Sequence, residues 1–144
     1  IANKYFFLKN NAQTQIVHDD GYNFVQSTPE KYQNLLIDIH DYLSFPQNCL
    51  NLKFFNNCVN TLKDDGVLGI NVTNHIDREI IFSHLYKLFT TKIISIPIKG
   101  YANVILLASK KFSTKYMLNH IRQSKEVNKI IWDNKFGYIL DYKN

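Results

Sequence analysis

The chain has 144 residues, 45% of them hydrophobic and 20% charged, enough for one globular core and too apolar for a disordered segment. No apolar run reaches the roughly 18–20 residues of a membrane-spanning helix, and no secretory leader pattern opens the sequence. The net charge of +5 is uneven: residues 1–91 carry 7 Lys/Arg against 9 Asp/Glu, and residues 92–144 carry 10 against 3. That basic part holds a single Arg122 and no nucleic-acid-reading motif, so it reads as a solvated lysine-rich face.

In chain order, Ala2–Leu8 reads as the end of a helix carrying Tyr5, Phe6 and Leu8. Gln13–His18 reads as a short strand stopped by an Asp19-Asp20-Gly21 turn. Tyr22–Gln26 predicts one helical turn, and Ser27-Thr28-Pro29-Glu30 a loop or a helix start. Asn34–Ile39 is a continuous apolar run, the pattern of a strand buried on both faces of a parallel sheet. Asn51–Leu62 places Leu52, Phe55, Val59 and Leu62 at helical spacing, with Asp64-Asp65-Gly66 ending the helix. Val67–Val72 reads as the next buried strand. Asp77–Phe89 reads as a helix with Ile80, Ile81, His84, Leu85, Leu88 and Phe89 toward the core. Lys92–Ile98 and Asn103–Ser109 flank Lys99-Gly100-Tyr101 and predict an antiparallel hairpin. Thr114–Trp132 carries an apolar stripe from Met117 to Ile131, and Phe136–Leu140 reads either way. No internal repeat or domain linker is visible.

Strands alternating with helices predict an α/β doubly wound, mostly parallel sheet closed by the hairpin. Such sheets bind ligands at the carboxyl ends of their strands, which points to Asp19-Asp20, to Asp38–Asp41, and to Asn71–Asn74. Asp20, followed by Gly21, can accept from an exocyclic amine or cap the next helix, and spacing alone favours the cap. Asp38 and Asp41 follow an apolar strand. There they are either loop caps or a partly desolvated pair suited to proton abstraction and to holding an ammonium or sulfonium. His40 adds a third group, yet the other histidines lack ligand spacing, so no metal is expected. The Asn71-Val72-Thr73 sequon ends a buried strand, where Asn71 and Asn74 would line the cleft instead. Cys49 and Cys58, placed in a loop and a helix start, make no CxxC pattern. They are expected to be reduced thiols of a cytoplasmic protein.

Together these segments resemble the spermidine synthase (polyamine aminopropyltransferase) family, from Ala2 to about Phe112. "VHDDGYNFV" is similar to the family's strand-Asp-Gly/Ala-x-x-Phe segment, "YQNLLIDIHDY" to its apolar strand and D-x-x-D, and "GYANVILLASK" to its closing hairpin strand. "LNLKFFNNCVNTLKDDGVLGINV" is similar to its helix-strand passage. The resemblance implies a methyltransferase-like Rossmann fold in which residues 1–112 form the C-terminal portion of the domain and 113–144 a basic helical extension. Its glycine-rich loop and first strands have no counterpart here, which implies a piece of a longer enzyme, inactive alone. It also implies that Asp20, with Gly21, holds the adenine of a nucleoside co-substrate, decarboxylated S-adenosylmethionine or S-adenosylmethionine. Asp38 would orient or deprotonate an attacking polyamine or other amine, also bordering the nucleoside, with Asp41 as its partner. A homodimer is compatible with the resemblance, while membrane and nucleic acid are not expected partners. Asp41 is followed by Tyr42-Leu43-Ser44-Phe45-Pro46 where the family continues directly with Pro, and the hairpin lacks a Trp that relatives carry. A methyltransferase and a non-catalytic interaction module stay open as alternatives.

Overall fold

Each α-helix of the described chain begins at a residue whose side chain can replace a missing backbone acceptor. The computed structural model describes residues 14–42, 44–98 and 100–125. Within it Asp20 caps α1 (Gly21–Ser27), Asn51 caps α2 (Leu52–Asn60), Asn74 caps α3 (His75–Phe89) and Ser113 caps α4 (Thr114–Gln123). Each accepts from first-turn N–H groups, which have no partner inside the helix. The predicted helix end at Ala2–Leu8, the segment Phe136–Leu140 and the stripe beyond residue 125 lie outside the described residues.

Four strands, β1 (Tyr32–Ile37), β2 (Leu62–Val72), β3 (Ile93–Pro97) and β4 (Val104–Ser109), form one sheet in the order β1-β2-β4-β3. β1 and β2 pair in parallel, and β4 runs antiparallel to both its neighbours. Three strands therefore share one direction and β4 alone opposes them. Alternate residues feed two cores. Leu68, Ile70, Ile93, Val104 and Leu106 pack with Phe54, Phe55, Ile81 and Leu85 of α2 and α3 on one face. Ile94 and Ile96 pack with Met117 of α4 on the other. Helices on both faces of the sheet make this the expected doubly wound α/β fold. Among the described residues no helix is long and apolar enough to cross a membrane.

Several expectations change. Residues 14–18 form no strand and are not among the four strands of the described sheet. Among the described residues β1 pairs with β2 alone and so stands at the edge of the sheet, with Leu36 78% exposed instead of buried. The helix before β2 ends at Asn60, not at Asp64-Asp65-Gly66. Those residues lie inside β2, in a bulge where Tyr32 faces Leu62 but Asn34 already faces Val67. A Cβ on Gly66 would stand 3.0 Å from the Lys63 carbonyl oxygen and 3.1 Å from Leu62. Gly66→Ala is therefore expected to destabilise by about 1–3 kcal/mol, through overpacking of the bulge, as measured by urea denaturation. In α3, Ile80 turns partly to solvent while Asp77 takes a buried place.

Cys58 lies in the closing turns of α2 rather than at its start, and both cysteines are free and buried. Burial, helped by the charge of Asp20, pushes the Cys49 thiol up to about 11. Burial and the neighbouring Cys49 push Cys58 up to about 12. The stability contributed by these neutral thiols is fully present below pH 9.0, the ordinary thiol value. It declines as the pH rises toward 12, because the unfolded chain then releases protons that the folded chain keeps. The urea midpoint should fall between pH 8.5 and pH 10.5, and the fall should shrink in a Cys49→Ala, Cys58→Ala chain.

Candidate functional site

β1 and β2 run in parallel and end side by side, so their last residues and the loops after them share one edge of the sheet. Asp38 follows β1 directly, and Asn71 is the penultimate residue of β2. The Asn71 side chain donates from Nδ2 to Asp38 Oδ1 at 2.9 Å. His40 Nε2 lies 3.2 Å from the same oxygen. Both contacts fall on Oδ1, and among the described residues no hydrogen bond or ion pair reaches Oδ2. The Asp38 side chain is 72% exposed. The burial expected for an acid at the end of a strand buried on both faces is not seen among the described residues, where β1 stands at the edge of the sheet.

Asn103 extends the network and had no signal in the sequence reading beyond lying at a strand start. Its Nδ2 donates to Asn71 Oδ1 at 3.0 Å. Its backbone oxygen accepts from Ile98 N at 3.0 Å, closing the base of the β3–β4 hairpin. Asn74, predicted to line the cleft, instead accepts from Ile76 N at 2.8 Å as the cap of α3.

Asp41 sits on the same loop as Asp38. Its backbone exchanges hydrogen bonds with Ser44, 2.8 Å from Asp41 N and 3.2 Å from Ser44 N, around Tyr42 at φ 60°. The Asp41 carboxylate is exposed. Farther along, the loop is anchored where Phe45 N donates to Asp77 Oδ2 at 2.8 Å, a buried bond to the first turn of α3.

Asp20 and Gly21 form a second group. Asp20 Oδ1 accepts from Tyr22 N at 2.8 Å and from Asn23 N at 3.4 Å, so the capping reading holds. Among the described residues nothing bonds its other oxygen. An added Cβ at Gly21 would meet nothing within 4 Å. Gly21 borders a cavity of about 530 Å³, lined also by Gln15, Val17, Asp19, Phe24, Tyr32 and Asn34. Among the described residues no hydrogen bond or ion pair joins Asp20 to Asp38 or Asp41. The structure thus brings Asp38 and Asp41 onto one loop and sets Asp20 with Gly21 at the start of α1. Among the described residues no three His, Cys, Asp or Glu side chains gather as a metal-binding set.

Comparison with known proteins gives the following. The family model described as the spermine/spermidine synthase domain matches residues 2–87. Polyamine aminopropyltransferases of three strains of Buchnera aphidicola subsp. Acyrthosiphon pisum are each 31% identical over 98 residues, covering 62% of this chain and 34% of theirs. The chain thus spans about a third of the length of the curated relatives it matches. Among solved structures, human methyltransferase-like protein 13 in complex with SAH superposes with a TM-score of 0.70 at 16% identity, over 95% of this chain and 70% of that one. A probable spermidine synthase from Corynebacterium glutamicum superposes with a TM-score of 0.65 at 23% identity, over 89% and 47%. At these identities the likeness to both structures is one of fold.

Proposed function

Since the chain belongs to the spermine/spermidine synthase family, we propose that it carries the amine-facing part of an aminopropyltransferase site. The parent reaction is transfer of the aminopropyl group of decarboxylated S-adenosylmethionine to a diamine such as putrescine. The observation that carries this reading is Asp38: an exposed carboxylate at the carboxyl edge of the sheet, with Oδ1 held by Asn71 and His40 and, among the described residues, no partner on Oδ2.

The reaction needs a neutral amine aligned with a carbon next to a sulfonium. The nitrogen–carbon bond forms as the carbon–sulfur bond breaks. The electron pair leaves on sulfur, giving a neutral thioether, and the surplus ammonium proton passes to a base. Asp38 Oδ2 would orient the amine and take that proton. Asp41, on the same loop, adds negative charge that favours a cationic diamine. Asp20 can take the adenine amino group on the oxygen its cap leaves free, and Gly21 leaves that side of the cavity open. Because the chain spans a third of its relatives, no turnover is expected from these 144 residues alone. The same reading expects the protein to act in the cytoplasm.

Nucleoside choice tests the reaction class. In calorimetric titrations of the chain, 5′-methylthioadenosine, the product of aminopropyl transfer, is expected to bind at least as tightly as S-adenosylhomocysteine. A clear preference for S-adenosylhomocysteine would replace this reading with methyl transfer. Failure of both to bind, with nucleic acid binding that falls steeply with salt, would replace it with an interaction module.

A further inference from the structure

We infer that Asn103, at the base of the β3–β4 hairpin, is a positioning residue for Asp38 that acts through Asn71; the functional part of this inference rests on the amine-site reading above. Three side chains from three neighbouring strand ends form one directed relay. Asn103 Nδ2 donates to Asn71 Oδ1 at 3.0 Å, and Asn71 Nδ2 donates to Asp38 Oδ1 at 2.9 Å. The direction is fixed at both ends. A carboxylate only accepts, so Asn71 must turn its NH₂ toward Asp38. Its oxygen then faces Asn103, which must donate.

Asn71 is half-buried within β2, opposite Ile105 of β4, and Asn103 precedes β4 by one residue. Asn103 is half-buried as well, and its backbone is held by Ile98 N. The hairpin is thus the fixed end of the relay, and the exposed Asp38 is the end that gains orientation. Without Asn103 the Asn71 amide loses the partner that holds its plane. Asp38 Oδ1 would then be left with a mobile donor and with His40.

The polarity makes a specific reversal testable. In Asn103→Asp, position 103 can only accept. Asn71 then cannot satisfy both carboxylates in either orientation, because one of them must face its oxygen. Adding Asp38→Asn supplies a donor at the other end, and the whole relay can run in the opposite direction. Asn103→Asp is therefore expected to lower Tm by about 2–4 °C, the size of one hydrogen bond in a domain of this length. Asp38→Asn in that background is expected to restore most of the loss. With Asn71→Ala as the starting chain the same two substitutions should no longer rescue each other. A rescue that persists without Asn71 and fades with salt would be direct repulsion between two carboxylates and would overturn the relay. No rescue in the parent chain would overturn it too.

A putrescine titration supplies the functional readout. Asn103→Ala, which removes the donor without adding charge, should weaken putrescine binding about tenfold, and the Asn103→Asp, Asp38→Asn double variant should regain Tm without regaining putrescine affinity. Unfolding alone cannot produce that split. Unchanged putrescine affinity in Asn103→Ala, with weakened affinity in Asp38→Asn, would overturn the positioning role. A wild-type chain that binds no putrescine would overturn the amine-site reading, and the Tm cycle would still decide the relay.

Discussion

Phe55→Ala is expected to remove about 3–5 kcal/mol of folding stability, the range for truncating a fully buried aromatic side chain. Phe55 has no exposed surface and stands where three elements meet. Its ring centroid lies 5.3 Å from Phe54, 6.2 Å from Phe45 and 5.7 Å from the His84 ring. Those partners come from α2 itself, from the loop after β1 and from α3. Removing the ring opens a void that backbones on three sides cannot close together, so the cavity adds to the lost transfer free energy. Against a whole-domain stability of about 5–15 kcal/mol, the loss is a large fraction. Urea denaturation read by far-UV circular dichroism measures it. Phe55→Leu, which keeps most of the volume, should lose less than half as much, and a loss below about 1 kcal/mol for Phe55→Ala would place Phe55 outside the core.

Asp77→Ala is expected to destabilise by about 2–4 kcal/mol, although Asp77 reads in sequence as an ordinary first-turn acid. Asp77 is 5% exposed and its Oδ2 accepts from Phe45 N at 2.8 Å. Removing it leaves that buried N–H unpaired and takes a favourable negative charge from the start of α3. The consequence reaches the site, because Phe45 anchors the loop that begins at Asp38 and carries Asp41. Asp77→Asn keeps an acceptor oxygen and should lose roughly half as much or less. Denaturation curves of the two variants check the order, and equal losses would mean that charge, not the bond to Phe45, is what matters.

How far the sequence could be read depended on whether a feature is local. Helix starts are local: Asp20, Asn51 and Ser113 cap helices close to the starts read from the sequence, whereas Asn74, read as lining the cleft, caps a helix that begins at His75 and not at Asp77. The hairpin across Gly100 was legible for the same reason, since Gly100 takes φ 78° in its turn. Neighbours are not local. Asn34–Ile39 has the composition of a central strand, yet its burial depends on what pairs with its second edge, and Leu36 is open to solvent. Asp64-Asp65-Gly66 looks like a helix stop, but here it forms a bulge. Gln33, on the facing strand, donates to the backbone and side-chain oxygens of Asp65 at 3.1 and 3.0 Å. Asp38 was legible as an acid at a strand exit. Its held oxygen was not, because Asn71 and Asn103 lie 33 and 65 positions further along the chain. They reach it only through the order β1-β2-β4.

The most direct test of the amine-facing site is a putrescine titration of the chain followed by ¹H–¹⁵N NMR. Saturable binding is expected, with shifts concentrated at Asp38, His40, Asn71 and Asn103 and affinity weakened at least about tenfold in Asp38→Asn, the loss of one charge-assisted contact. Binding that is absent, that maps away from this edge of the sheet, or that is unchanged in Asp38→Asn would contradict it.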